Sequence, residues 1–246
     1  MGLKRSLRNV SVGIDAIPDS VVDNFESVDS DPAGVYETGE TLDDYYNGGL
    51  AEWSRNTSDV VEGDKNVEAE MGDNVDHVII SQPGDGLNRY PEAEDTLVSL
   101  MWDSGGSGDS GNGGRPMTCF NGSWENDAVD CYAAYINAES NTLEIIKYDG
   151  QPGGTGFDNK STLESENVTL SDEEWYWVEI DIPADSGTDE GDIEVRIYDV
   201  NTADLTRGSE LGSVTTTDTD FVDNRGVGVS FEQADRCMVD FLHIAG

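Results

Sequence analysis

The fold is indicated most clearly by residues 174–182, whose sequence is EWYWVEIDI. Successive side chains of a β-strand point to opposite faces, so an apolar residue at every second position predicts a strand with one buried face. That face carries Tyr176, Val178, Ile180 and Ile182. The opposite face mixes two tryptophans with two acids, so we expect the tryptophans to be partly exposed: Trp175, Trp177, Glu179 and Asp181.

The same two-residue period recurs from about residue 50 to the end of the chain, between turns rich in Gly, Asp, Asn and Ser. No long stretch keeps apolar side chains at helical spacing. These patterns predict an all-β fold, a two-sheet antiparallel sandwich, over residues 19–246. The predicted strands span residues 59–62, 66–71, 77–81, 95–103, 115–121, 129–137, 141–148, 161–170, 174–182, 192–200, 210–217, 226–232 and 237–244.

One hairpin is marked by its turn. Residues 137–141 read NAESN and separate two apolar-rich segments. Asn and Ser tolerate turn geometry and can bond the freed backbone groups, so residues 129–137 and 141–148 are predicted to pair antiparallel.

The charge of the chain is extreme. Its 246 residues include 52 Asp and Glu against 13 Lys and Arg, a formal net charge of −39. Such a surface argues against a partner that is a nucleic acid, and no apolar run approaches the roughly 20 residues needed for membrane insertion. Self-repulsion is screened in molar salt, where the Debye length is about 3 Å. We therefore expect adaptation to very high salt; a metal-loaded or merely acidic surface is the alternative.

Residues 1–18 depart from this pattern. They carry Lys4, Arg5 and Arg8, and no acid precedes Asp15. No apolar stretch of signal-peptide length follows these charges, so an export signal is not expected. We predict an assembly arm that docks on an acidic partner or a neighbouring copy; a frayed terminus is the alternative.

Three cysteines leave at least one thiol unpaired in a monomer: Cys119, Cys131 and Cys237. Cys119 and Cys131 flank a predicted loop between two strands and could be bridged if their Cα atoms lie within about 7 Å of each other. Buried free thiols are the favoured alternative because no export signal is visible.

Six short segments carry a family resemblance in their order along the chain: DNFE at 23–26, DYYNG at 44–48, ISQPGDGLNRYP at 80–91, WYWVE at 175–179, GVGV at 226–229 and VDF at 239–241. Together they resemble the concanavalin A-like lectin/glucanase superfamily, in particular laminin-G-like jelly-roll domains of haloarchaea and their tailed viruses. The first 20 residues also resemble the lead-in of structural proteins of such viruses. The resemblance implies a jelly-roll sandwich and a virion surface component such as a turret, fibre or tail protein.

The resemblance also implies a structural Ca²⁺ near the first and last strands, where Asp23, Glu26 and Asp240 lie. Calcium takes about six or more oxygen ligands, and carboxylates supply them well. The alternative is that each is one more exposed acid. Zinc is not expected, because the cysteines and histidines lack the usual ligand spacing.

Glycan binding would place apolar sugar faces on exposed aromatic rings and sugar hydroxyls on polar groups. The aromatic candidates at predicted strand ends or in loops are Tyr45, Tyr46, Trp53, Tyr90, Trp102 and Trp124. Core packing is the alternative for about half of them. Five N-x-S/T sequons, which chance could also supply, permit glycosylation at Asn9, Asn56, Asn121, Asn159 and Asn167.

Hydrolytic activity is a weaker expectation. Retaining members of the resembled superfamily carry two carboxylates on a Glu-x-Asp-x-x-Glu strand, and residues 125–130, ENDAVD, approach it with a final Asp. The sequence thus predicts a non-enzymatic virion surface protein that assembles as a homo-oligomer with other virion proteins and binds host envelope glycans. The alternative is an extracellular carbohydrate-binding protein or glycoside hydrolase.

Overall fold

The structure is a computed structural model. It describes residues 21–23, 47–48, 53–56, 66–69, 77–85, 87, 89–103, 115–125, 128–137, 140–152, 159–171, 173–201, 206–232 and 237–245. The predicted strand at 59–62 and the arm of residues 1–18 lie outside these residues.

The described residues form fifteen strands and contain no helix. No helix long and apolar enough to cross a membrane is present among them. The strands are β1 (Val21–Asp23), β2 (Asn47–Gly48), β3 (Trp53–Asn56), β4 (Asn66–Ala69), β5 (His77–Ser81), β6 (Thr96–Asp103), β7 (Arg115–Glu125), β8 (Ala128–Asn137), β9 (Thr142–Pro152), β10 (Lys160–Asn167), β11 (Glu174–Asp181), β12 (Asp192–Asn201), β13 (Thr206–Thr217), β14 (Gly226–Glu232) and β15 (Cys237–Ala245).

Two antiparallel sheets contain all of these strands. The eight-stranded sheet has the order β13-β12-β11-β6-β15-β4-β3, with β1 also paired to β15. The seven-stranded sheet has the order β10-β9-β8-β7-β14-β5-β2. Neighbours in a sheet are often distant in sequence. The last strand, β15, lies inside the eight-stranded sheet between β6 and β4.

The main core lies between the two sheets. On β11 the predicted face is buried, with Tyr176 at 3 % exposure and both Val178 and Ile180 at 0 %. It joins one cluster with side chains of β8 and β9, including Ile136 and Ile145. Burial of branched and aromatic side chains from both sheets is the chief stabilisation of such a sandwich.

The tryptophans on the other face of β11 correct the expectation that they are partly exposed. Trp175 is 8 % exposed and Trp177 is 0 % exposed. They pack with Leu100 and Met238 of the neighbouring strands in a second cluster on the outer face of the eight-stranded sheet. The Trp177 Nε1–H donates a hydrogen bond of 3.1 Å to Glu179. Glu179 is therefore part of the packing on this face, since it satisfies the buried indole N–H.

The period-2 prediction located most strands to within a few residues, and the sequence did not predict β1, β2 and β3. The predicted hairpin is confirmed: β8 and β9 pair with Asn137 opposite Thr142. In its turn Asn141 has φ of +56°, and the Ser140 N–H donates to Asn137 Oδ1 at 3.0 Å. Short polar residues bond such turns locally, as their composition predicts.

Two of the three cysteines can be described, and both are free and buried. They are Cys119 on β7 and Cys131 on β8. The favoured prediction of buried thiols is confirmed for this pair. The Cys237 side chain lies outside the described residues.

Candidate functional site

Three loops meet at one end of the sandwich. They join β5 to β6 (residues 82–95), β11 to β12 (182–191) and β13 to β14 (218–225). The register places their strand ends together, because Thr96 pairs with Asp181, Asp192 with Thr217, and Ser81 with Val227. A cavity of about 540 Å³ opens between the loops, lined chiefly by Pro83, Arg89, Tyr90, Pro91, Asp185 and Arg225.

The first loop is held by two turns closed by aspartates. The Gln82 N–H donates to Asp85 Oδ2 at 3.0 Å, and the Glu92 N–H donates to Asp95 Oδ2 at 2.9 Å. The Ile182 N–H then donates to the Asp95 carbonyl at 2.8 Å, which ties this loop to the second one. Aspartate side chains commonly order loops in this way, so the cavity wall is fixed by local sequence.

Tyr90 is the aromatic side chain of the cavity. Its hydroxyl lies 2.9 Å from Ser81 Oγ, and its ring packs partly against the main core. Partial burial raises the pKa of the Tyr90 phenol above its ordinary value, so the side chain is neutral. A ring fixed by a hydrogen bond and by core contacts offers a rigid apolar surface to a ligand.

Charges of both signs line the same cavity. Arg225 donates to Asp185 at 3.2 Å and also to the Val222 carbonyl at 2.6 Å. Arg89 lies 3.6 Å from Asp95, and its side chain is 43 % exposed. Together with Glu92, these groups make the lining nearly neutral, although the chain as a whole carries −39.

A partly buried polar cluster anchors the third loop. Lys147 on β9 donates to the Asp218 carboxylate at 3.2 Å and also bonds Asp220, and the Tyr132 hydroxyl donates to Asp218. Burial opposes the charge of Lys147, but the bonds to Asp220 and Asp218 outweigh it and raise its pKa. Burial likewise disfavours the Asp218 carboxylate, but the donors from Tyr132, the Asp220 backbone and Lys147 lower its pKa overall. The loop therefore starts from a fixed, charged anchor.

Gly191 allows the second and third loops to touch. Its φ is +78°, and a Cβ at this position would lie 2.6 Å from the Asp218 carbonyl oxygen. The Asp218 N–H donates to the Gly191 carbonyl at 3.0 Å. Glycine alone adopts this positive φ and leaves room for the Asp218 backbone at low energetic cost, because it has no Cβ.

Of the six predicted aromatic side chains, three are described, and the structure does not bring these three into one site. Tyr90 lies in the cavity, and the Trp124 backbone exchanges hydrogen bonds with the neighbouring Gln82 side chain at 2.8 and 3.3 Å. Trp102 packs against the outer cluster of the eight-stranded sheet, near the end of β6 opposite the end that leads into the cavity. The Trp53 side chain, Tyr45 and Tyr46 lie outside the described residues.

The predicted calcium ligands are only partly described. Asp240 is 0 % exposed on β15, and the backbone of Asp23 pairs with Leu242 of the same strand. Glu26 and the Asp23 side chain lie outside the described residues. Within the part of the chain that is described, no three His, Cys, Asp or Glu side chains are grouped to hold a metal. The described donors alone do not fit Ca²⁺, which needs about six or more oxygens, so calcium stays a prediction.

The predicted glucanase motif does not form a single strand. β7 ends at the exposed Glu125 and β8 begins at Ala128, so the motif spans a hairpin turn. Asp130 lies on β8 and accepts a hydrogen bond from the Gly150 N–H. The arrangement that the resemblance implied for two carboxylates on one strand is therefore wrong.

Sequence reasoning missed Arg89, Asp185 and Arg225. They lie on three different loops; Arg89 falls within the segment at 80–91 that carries the resemblance, but no local pattern marks any of the three as a site residue. One signal in the sequence could have pointed to the two arginines. The chain has only 13 Lys and Arg among 246 residues, so each basic residue is a candidate for a specific role.

No protein-family model matches the chain, and a comparison with curated proteins finds no match. Among solved structures, the chain is similar to the carbohydrate-binding module CBM66 from Bacillus subtilis, with a TM-score of 0.50 and 12 % identity over 79 % of this chain and 96 % of that one. The fold is a jelly-roll β-sandwich. The similarity at this identity confirms the predicted fold class and assigns no activity.

Two further solved structures resemble the sandwich less closely. The carbohydrate recognition domain of Emp46p has a TM-score of 0.46 and 10 % identity, over 80 % of this chain and 88 % of that one. Lectin II from Ulex europaeus has a TM-score of 0.42 and 8 % identity, over 82 % and 95 %.

Proposed function

We propose that this jelly-roll sandwich binds a glycan and that the loop cavity around Tyr90 is its binding site. The observation that carries the proposal is a fixed, neutral tyrosine ring in a cavity of about 540 Å³ lined by paired charges. Ligand sites typically have about this volume and combine apolar surfaces with a few placed polar groups. The name of the Bacillus subtilis module, a carbohydrate-binding one, is consistent with the proposal.

The lining suits a sugar ring. The half-buried Tyr90 ring and the exposed Pro83 offer apolar surfaces for the C–H face of a pyranose, and Pro91 is buried beside them in the cavity wall. Arg89 and Arg225 offer donors, and Asp185 offers acceptors, for the hydroxyls at its rim. Because each arginine already has an acidic neighbour, the cavity favours a neutral glycan over a polyanionic one.

Binding assays in molar KCl test this proposal. An array of neutral and uronate-containing oligosaccharides identifies the probe, and calorimetry then measures Kd for the best neutral oligosaccharide. We expect Tyr90→Ala to raise Kd about tenfold, or about 1.4 kcal/mol. Tyr90→Phe keeps the ring and loses only the hydroxyl with its hydrogen bonds to Ser81 and to the loop backbone, so its Kd should stay within about threefold. A folded Tyr90→Ala protein with unchanged Kd, or a parent protein that binds no glycan, would contradict the proposal.

We further propose that the glycan lies on a host envelope and that the chain is a virion surface protein of a haloarchaeal virus. The support is the resemblance of residues 1–20 and the basic arm with Lys4, Arg5 and Arg8, whose charge is opposite to that of the sandwich. Multiple copies would compensate for weak single-site affinity. Deleting residues 1–18 should abolish oligomers and leave glycan affinity per site unchanged; a parent protein that is monomeric would favour a secreted carbohydrate-binding protein instead.

A further inference from the structure

The edge strand β10 is largely exposed. It is the terminal strand of the seven-stranded sheet and pairs only with β9 among the described strands. Six of its eight residues are exposed, and none is fully buried. An open strand edge offers unpaired backbone groups to other chains, and proteins usually protect such edges.

Two sequons lie at the two ends of this strand. Asn159-Lys160-Ser161 begins it and Asn167-Val168-Thr169 ends it. The asparagine and the hydroxyl residue of each sequon are exposed. Asn167 is the last residue of β10, and the chain leaves the sheet immediately after it.

A third sequon shows the opposite environment. Asn121 is 2 % exposed, and its Nδ2–H groups donate to the Phe221 and Val222 carbonyls at 3.2 and 3.3 Å. A glycan at Asn121 would break both bonds and require space inside the packed sandwich. The structure therefore separates sequons that look equivalent in the sequence.

We propose that Asn167 is an N-glycan attachment site, that Asn159 is a second one, and that their glycans cover the β10 edge. The two asparagines differ in availability. Asn159 Nδ2–H donates to the Asp149 carbonyl at 3.0 Å and must release that bond. No described residue hydrogen-bonds the Asn167 side chain, so Asn167 is the principal site.

The chemistry requires a glycan donor linked to a polyprenyl phosphate and an oligosaccharyltransferase. A bond forms between Asn167 Nδ2 and the anomeric carbon of the glycan, and the bond from that carbon to the phosphate oxygen breaks. The polyprenyl phosphate leaves with the electron pair, and Nδ2 gives one proton to a base of the transferase. The product is a bulky glycan joined to the sheet edge through an uncharged amide.

Production of the full chain behind an added haloarchaeal secretion signal, since residues 1–18 are not expected to supply one, in an N-glycosylating haloarchaeal host tests this inference. Glycopeptide mass spectrometry should find Asn167 modified in most molecules, Asn159 in fewer and Asn121 in none. Thr169→Ala should remove the glycan at position 167, whereas the matched variant Thr169→Ser should retain it. An unmodified Asn167 beside a glycosylated host protein, or equal occupancy at Asn121, would overturn the inference.

A second measurement tests the protection of the edge. The Thr169→Ala, Ser161→Ala double variant lacks both sequons while every asparagine remains in place. Light scattering in molar salt should show more self-association for this variant than for the glycosylated parent. Equal association at matched concentration would overturn the claim that the glycans cover β10, whatever the occupancy.

Discussion

His243 shows how burial decides the chemistry of a side chain in this protein. It lies on β15 at 3 % exposure, and desolvation lowers its pKa to about 3. The imidazole is therefore neutral over the ordinary pH range. Its burial keeps it from any bound ligand, so a packing role fits it better than a catalytic one.

The buried imidazole predicts a pH dependence of stability. Its pKa in the folded protein, about 3, lies below its ordinary value of 6.5, so between these values the unfolded chain binds more protons. The free energy of unfolding should fall on acidification below about pH 6.5 by roughly 1.4 kcal/mol per pH unit from this group. Denaturant titrations between about pH 7 and about pH 5 in constant molar salt should show a shallower slope for His243→Gln. Parallel profiles for parent and variant would contradict this prediction.

Individual residues show which parts of the candidate site could be predicted from the sequence. Tyr90 could be named as a candidate because it follows a predicted strand within a turn-rich segment. Arg89, Asp185 and Arg225 meet only when three distant loops converge, which no local pattern records. Trp177 was misjudged because alternation separates two faces of a strand but does not say whether the outer face is covered.

Strand length explains which elements could be predicted. β8 to β15 are long enough to show several periods of alternation, and each was located. β1 and β2 have three and two residues, too few for the period to emerge. β3 and β4 have four residues each and only β4 was predicted, so length alone does not separate these two strands. The positions of such short strands depend on pairing with distant strands, as β1 pairs with β15, and such pairing is not encoded locally.

The contact between the second and third loops predicts a pair of glycine variants. Gly191→Ala adds a Cβ 2.6 Å from a backbone oxygen at a φ of +78°, so both strain and overlap destabilise it. We expect a loss of about 2–4 kcal/mol of unfolding free energy and weaker glycan binding. Gly187→Ala is the matched control, because its φ is +105° and no atom lies within 4 Å of the added Cβ. Equal losses for the two variants would show that the loop contact contributes nothing.

The stability of the whole molecule depends on two opposing contributions, burial of the apolar core and repulsion between surface charges. The sandwich buries apolar side chains from both sheets, while a net charge of −39 repels itself across the surface. Apolar attraction acts only where surface is buried, whereas charge repulsion acts over the Debye length. The Debye length falls as salt is added, so the repulsion weakens. The acidic composition therefore predicts that the free energy of unfolding depends on salt concentration.

The balance predicts a melting temperature that depends strongly on salt. Dialysis from molar to millimolar KCl should lower Tm, and a loss of about 3 kcal/mol corresponds to roughly 6–12 °C for a domain of this size. Sucrose at matched osmolality is the control, since it strengthens burial without screening charge. Thermal melts followed by circular dichroism measure the effect. An unchanged Tm would remove the proposed adaptation to high salt.

The central claim is that a glycan binds between the three loops, and a crystal structure of the complex tests it most directly. Crystals grown in molar salt would be soaked with the best neutral oligosaccharide from the array. We predict a sugar ring against Tyr90, with hydroxyls bonded to Arg89, Asp185 or Arg225. A sugar found elsewhere, such as in the groove of about 490 Å³ beside Glu194 and Thr215, with the loop cavity empty, would contradict the account.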